Sequence, residues 1–211
     1  MKVTLKELLG NKDNLSMNKN YIVYSVEISQ SGEKFYRIQN DAYQIVPYPS
    51  TLFHIASDKI NKDWILWQKP NNCSALLPKQ FAYLSFWENF YNDDDEALNV
   101  FNLVKEQLYQ EELDDDEINQ ILQTGNEEEV STVFKILTKT KNNRFINQAI
   151  QYSKSSLEKN VGYDDTVLSA FRYLSLFKQN EVDEFFIHYL TNIEFGSTEL
   201  TSIVNSYFGV E

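Results

Sequence analysis

Four prolines, Pro47, Pro49, Pro70 and Pro78, all precede residue 80, and beyond residue 94 apolar residues recur at helical spacing with no proline to interrupt them. A proline inside a helix removes a backbone donor and clashes with the preceding turn. The first stretch therefore favours strands and turns, while the second is free to be helical throughout. The switch falls near residues 80–92. Such a chain reads as α+β, with a mainly β subdomain over residues 1–80 and an α-helical subdomain over residues 81–211. With 42% hydrophobic and 14% aromatic residues, its 211 residues suffice for a buried core.

Within the first part, Thr4 followed three residues later by Glu7 has the capping-box form. Leu5, Leu8 and Leu9 make a short apolar face and Gly10 suits an exit, which predicts a short N-terminal helix. Alternation over Tyr21–Ile28 predicts a half-buried strand, Ser29–Gly32 a turn, and Lys34–Ile38 the returning strand of a hairpin. Tyr43–Val46 resumes the ladder until Pro47 stops it, and Leu52–Ile55 and Trp64–Trp67 are further strand-length runs. Five short strands with antiparallel connections predict a small antiparallel sheet or an SH3-like barrel.

Seven apolar stripes follow, beginning with Ala97, Leu98, Phe101, Val104 and Leu108 and ending with Leu200, Ile203, Val204, Tyr207 and Phe208. The sixth of them runs from Val182 to Ile193. They predict seven helices with short connections, hence an all-helical bundle or a short α-solenoid of helix pairs. Asn92, Asn126 and Asn180 stand where N-caps are wanted. No repeat at the residue level points to a named repeat family.

The net charge of −12 is unevenly placed. Residues 93–129 hold 14 acids against Lys105 alone, a balance of −13. Asp93, Asp94, Asp95, Glu111, Glu112, Asp114, Asp115, Asp116, Glu117, Glu127, Glu128 and Glu129 are the candidate partner-binding residues. Negative charge without matching cations attracts a basic surface and speeds association with it. The same acids in first turns would also complement helix dipoles and solvate exposed ends.

Other chemistries lack their residues. Neither acidic run alternates oxygen ligands around a glycine turn, as a calcium loop does. One cysteine (Cys73) and two histidines (His54, His188) leave too few soft ligands for an ordinary zinc site. The six glycines form no phosphate-cradling loop and no G-x-S-x-G elbow is present. No catalytic residue, metal or cofactor is expected, and His54, His188 and Cys73 read as structural. Trp64, Trp67 and Trp87 could stack bases, but the overall charge would repel a phosphate backbone, so no nucleic-acid partner is expected. No apolar run is long enough to span a membrane, and Lys6 and Glu7 interrupt any signal peptide. A cytoplasmic location follows as the expectation, with the oligomeric state open.

At Phe35-Tyr36-Arg37-Ile38, at Leu52-Phe53-His54-Ile55, at Trp64, and at Phe86-Trp87-Glu88-Asn89-Phe90, the chain resembles small bacterial proteins of the polymorphic-toxin immunity type. The likeness covers roughly residues 20–110 and leaves the helical half outside it. It implies a protein that binds and neutralises a toxin domain. By their own physics these residues read as architecture. Tyr36, Ile38, Phe53, Ile55 and Trp64 would build a sheet core. Phe86, Trp87 and Phe90 would lock a helix against the sheet, and Asp58 and Glu88 would bond to backbone or to Arg37. Three functions stay in play: a stoichiometric inhibitor of a basic partner, a non-catalytic helical scaffold holding a peptide or sibling subunit, and a hydrolase using paired carboxylates.

Overall fold

The computed structural model describes residues 1–7, 14–69, 73–159, 165–192 and 197–210. The chain divides into two compact units, Met1–Glu112 and Leu113–Glu211. The change from strands to helices near residue 80 is therefore not the boundary between units, because two helices beyond it belong with the sheet.

The first unit carries strands β1 (Lys2–Leu5), β2 (Asn20–Ile28), β3 (Lys34–Gln39), β4 (Ile45–Pro49), β5 (Phe53–Ser57), β6 (Trp64–Gln68) and β7 (Ser74–Pro78), then helices α1 (Phe86–Tyr91) and α2 (Asp95–Glu112). Every ladder is antiparallel, and the strand path is β4-β3-β2-β1-β5. β1 takes the first half of one edge of β2; β7 takes the second half and carries β6. The path ends, β4 and β5, share no ladder among the described residues, so the sheet is open and not a closed barrel. It curls nonetheless: Phe53 of β5 reaches the rings of Tyr21, Tyr36 and Tyr48, at 6.5, 6.1 and 6.3 Å, on β2, β3 and β4.

Sequence patterns fail here where pairing overrides them. The expected helix at Thr4 is the strand β1, held between β2 and β5 with Val3 wholly buried; ladders on both edges outweigh a local capping pattern. Leu8, Leu9 and Gly10 lie outside the described residues. β2 is not half-buried, since Tyr21 to Val26 are all inside. Its register slips between Val23 and Ser25, a bulge that re-phases the strand. Tyr24 meets Phe101 of α2 at 5.0 Å on one face, while Tyr21 faces Phe53 on the other. Pro47 and Pro49 do not stop β4 but belong to it, as an edge strand allows because one side needs no donors. Ile55, expected in the core, is 56% exposed because β5 is also an edge.

The helix layer is locked as Phe86, Trp87 and Phe90 suggest. Phe86 is buried and stacks on Phe81 at 4.3 Å, and Trp87 lies 4.3 Å from the Arg37 guanidinium. Arg37 is itself buried. Its Nε donates to Glu27 Oε1 at 2.7 Å and it also donates to the Tyr91 hydroxyl, so its partners are Glu27 and Tyr91, not Asp58 or Glu88, which are both exposed.

The second unit holds α3 (Asp115–Thr124), α4 (Glu127–Thr140), α5 (Ile146–Glu158), α6 (Asp165–Leu174), α7 (Asn180–Asn192) and α8 (Thr198–Phe208). The seven apolar stripes correspond to α2 to α8, with α1 a short addition; Ile193, the end of the sixth stripe, lies outside the described residues. Packing sorts the six into two layers, α3-α5-α7 and α4-α6-α8, with α3 joined to α4, α5 to α6 and α7 to α8 across them. This is the arrangement of a short α-solenoid. Helices α4 and α6 run parallel, since Thr166 Oγ1 donates to the Glu127 carbonyl at 3.2 Å near both starts and the Ser131 and Ser169 hydroxyls meet at 3.4 Å one turn on; Gln148 Nε2 of α5 donates to Asn119 Oδ1 of α3 at 2.8 Å. One core runs through the layers, with Phe134, Phe171, Tyr173 and Phe186 fully buried. Tyr207 donates to the Asp183 carboxylate, and burial together with that carboxylate pushes its hydroxyl up to about 12, keeping it a neutral donor.

The caps divide similarly. Asn126 Oδ1 accepts from Glu129 N at 2.6 Å and caps α4, whereas Asn92 closes α1 and Asn180 is the first residue of α7. Between α3 and α4, Gly125 has no room for a side chain: a Cβ there would stand 2.5 Å from the Ile121 carbonyl oxygen. Gly125→Ala is expected to destabilise the helical unit by about 1–3 kcal/mol through that clash. Far-UV circular dichroism during urea unfolding checks it, and an unchanged transition would contradict it.

Candidate functional site

The acidic window straddles the two units, and within each its acids gather at separate helix ends. In the first unit Asp93, Asp94 and Asp95 are exposed around the start of α2, where Asp94 Oδ1 caps the helix by accepting from Ala97 N at 2.9 Å. Asp93 takes a left-handed backbone, with φ 56°. Glu111 and Glu112 lie at the other end of α2, about 24 Å away at the helical rise. Glu111 accepts from Asn61 Nδ2 at 2.6 and 2.7 Å. Glu112 is buried and paired with the Met1 ammonium, with 5% of its side chain exposed, so it cannot meet a partner and leaves the candidate set. Lys105, the one cation of the window, is also buried and donates to Gln39 Oε1 at 3.0 Å.

In the second unit Asp114 and Glu117 form a reciprocal capping box: Glu117 N donates to Asp114 Oδ1 and Asp114 N to Glu117 Oε2, both at 2.9 Å. Asp115 pairs with Arg144, and Asp116 is exposed. Glu127, Glu128 and Glu129 open α4, at the opposite end of α3 and about 15 Å from Asp115 at the helical rise. Several acids thus have local duties at helix starts, where a carboxylate also meets the positive end of the helix dipole. Asp114→Ala is expected to cost the helical unit about 1 kcal/mol, the usual worth of an N-cap. Urea unfolding followed by circular dichroism measures it, and a change under a few tenths would remove the capping role.

One end of the helical unit gathers more than the sequence suggests. The packing of α4 beside α6 brings the starts of these two helices together, with Thr166 Oγ1 donating to the Glu127 carbonyl at 3.2 Å. The C-terminal ends of α3 and α5 finish at the same end. Between them opens a groove of about 700 Å³ lined by Thr124, Gly125, Glu127, Gln148, Ser155 and Lys159, among others. Glu127, Ser155 and Lys159 are exposed, as is Asp165 at the start of α6. Gln148 has its amide nitrogen tied to Asn119, while its Oε1 is buried with no hydrogen-bond partner. Nothing in the sequence marks these residues. Asp165 stands 38 positions from Glu127, and spacing alone cannot say which helices are neighbours.

A second open groove runs along α8, lined by Thr198, Thr201, Ser202 and Asn205. Neither groove sets two carboxylates face to face, as a paired-carboxylate hydrolase requires. Among the described residues no three His, Cys, Asp or Glu side chains converge as metal ligands, and no helix is long and apolar enough to cross a membrane. His54 and His188 are exposed, and Cys73 is a half-buried free thiol. No family model, curated protein or solved structure matches the chain.

Proposed function

We propose that the chain is an acidic, non-catalytic binding protein that captures a basic protein partner in stoichiometric complex, as an immunity protein captures a toxin domain. The observation that carries this reading is the charge of residues 93–129, −13 in 37 residues, most of whose exposed members lie at the starts of α2, α3 and α4. The negative balance continues beyond the window, since Leu113–Glu211 holds 16 acids and 8 Lys and Arg. Steering does not need a seamless patch; it sums charges within a Debye length or so, about 8 Å at physiological salt and longer below it. The resemblance of roughly residues 20–110 to immunity-type proteins, a reading of sequence pattern alone, would imply the same function.

Affinity capture from a lysate of the host cell tests the reading. A partner with a basic isoelectric point should be retained at ~50 mM salt and released at ~500 mM, where charges more than a few ångströms apart are screened. Recovery of only acidic or neutral partners, unaffected by salt, would overturn it. The layered helix pairs favour a second reading, a scaffold for a peptide or sibling subunit. A stable homo-oligomer on size exclusion, with no basic partner captured, would select it.

A further inference from the structure

We infer that β6 is a self-association edge, at which two copies of this chain pair their β6 strands antiparallel about a two-fold axis at Leu66. The strand pairs with β7 on one side, and nothing among the described residues pairs with the other. An edge strand presents unpaired backbone groups, which natural sheets blunt with proline or charge. β4 carries Pro47 and Pro49, whereas Trp64–Gln68 has neither device. Ile65 and Leu66 are instead large apolar residues left 41% and 61% exposed on opposite faces of the strand, with Trp67 half-buried.

The ladder to β7 fixes which backbone groups are available. Lys69 N donates to the Cys73 carbonyl at 2.8 Å and Lys79 N to the Asp63 carbonyl at 3.0 Å, so the odd-numbered residues of β6 bond to β7 and the even-numbered ones turn their backbone groups outward. The outward Trp64 N–H is already taken by the Asn61 carbonyl at 3.0 Å. The Trp64 carbonyl and both groups of Leu66 and Gln68 are left. Centred on Leu66, an antiparallel pair of copies uses all of these but the Gln68 carbonyl: each Leu66 N–H donates to the other copy's Leu66 carbonyl, and each Gln68 N–H to the other's Trp64 carbonyl. The side chains agree with this register. Ile65 falls opposite Trp67 of the second copy, an aromatic and β-branched pair, and Leu66 falls opposite Leu66. Asp63 falls opposite Lys69 at both ends. These opposite charges stay partly exposed, at 31% and 24%, beside their present partners Lys79 and Glu27. Sliding the register by two residues would set Ile65 against Lys69 and lose that complementarity. The net charge of −12 does not gather here, since residues 1–90 hold 10 Lys and Arg against 8 acids.

The pairing is independent of what the acidic helices capture. Strands this short bury less than the ~1,200 Å² of a standard interface, so a weak dimer is expected. Sedimentation velocity of the full chain from ~5 to ~500 µM should show monomer giving way to dimer. Because Leu66 meets itself on the axis, Leu66→Lys and Leu66→Glu should each weaken association at least about tenfold, whereas an equimolar mixture of the two should pair again as a heterodimer. Leu66 is exposed, so both variants should keep the parent's urea-unfolding midpoint under conditions where all are monomeric. A chain that stays monomeric at the highest concentration, a dimer indifferent to either substitution, or a mixture that does not pair again would overturn the inference. Dimers in a protein that captures no basic partner would sink the proposed binding function and keep the edge. Salt-sensitive capture by a chain that stays monomeric would do the reverse.

Discussion

Glu112→Ala is expected to destabilise the Met1–Glu112 unit by about 3–5 kcal/mol, because it strands a buried ammonium without its counter-charge. The Met1 ammonium and the Glu112 carboxylate are more than nine-tenths buried, at 8% and 5% exposure, and they tie β1 to the end of α2 across 111 positions of sequence. An exposed pair would be worth under about 1 kcal/mol, so burial decides the size of the effect. Glu112→Gln keeps an acceptor but not the charge and should lose less. The readout can be confined to this unit, since Trp64, Trp67 and Trp87 all belong to it. Tryptophan fluorescence during urea unfolding should show an earlier midpoint; a midpoint unmoved by Glu112→Ala would mean that desolvation cancels the pair.

The second large effect concerns association. Asp93, Asp95, Asp116 and Glu127 make no side-chain hydrogen bond or ion pair among the described residues, unlike Asp94, Asp114 and Asp115. Replacing these four with Asn or Gln removes four negative charges while leaving the caps intact. Association with the captured basic partner is expected to slow by about tenfold at low salt, with dissociation much less changed. Stopped-flow association against the parent chain makes the comparison, and equal rates would show that the acids serve the helices alone.

The fold was legible where period and local chemistry agree. Seven apolar stripes translate into α2 to α8, and Asn126 caps α4, because helix signals are local. β1 was hidden by a Thr4–Glu7 capping pattern, and β7 ends on Pro78, a residue that argues against a strand; both exist because neighbouring strands supply ladders, which no local pattern reports. Pro47 misled for the same reason, as only the sheet reveals that β4 is an edge. The acidic residues were legible as charge but not as placement. Helical rise separates Asp95 from Glu111, and burial removes Glu112.

Salt dependence tests the central claim most directly: the association rate of the parent chain with its captured partner, measured from ~20 to ~500 mM salt. Long-range attraction predicts a steep fall, tenfold or more over that range, with a dissociation rate nearly constant. A flat association rate would mean that the negative charge has no part in recognition.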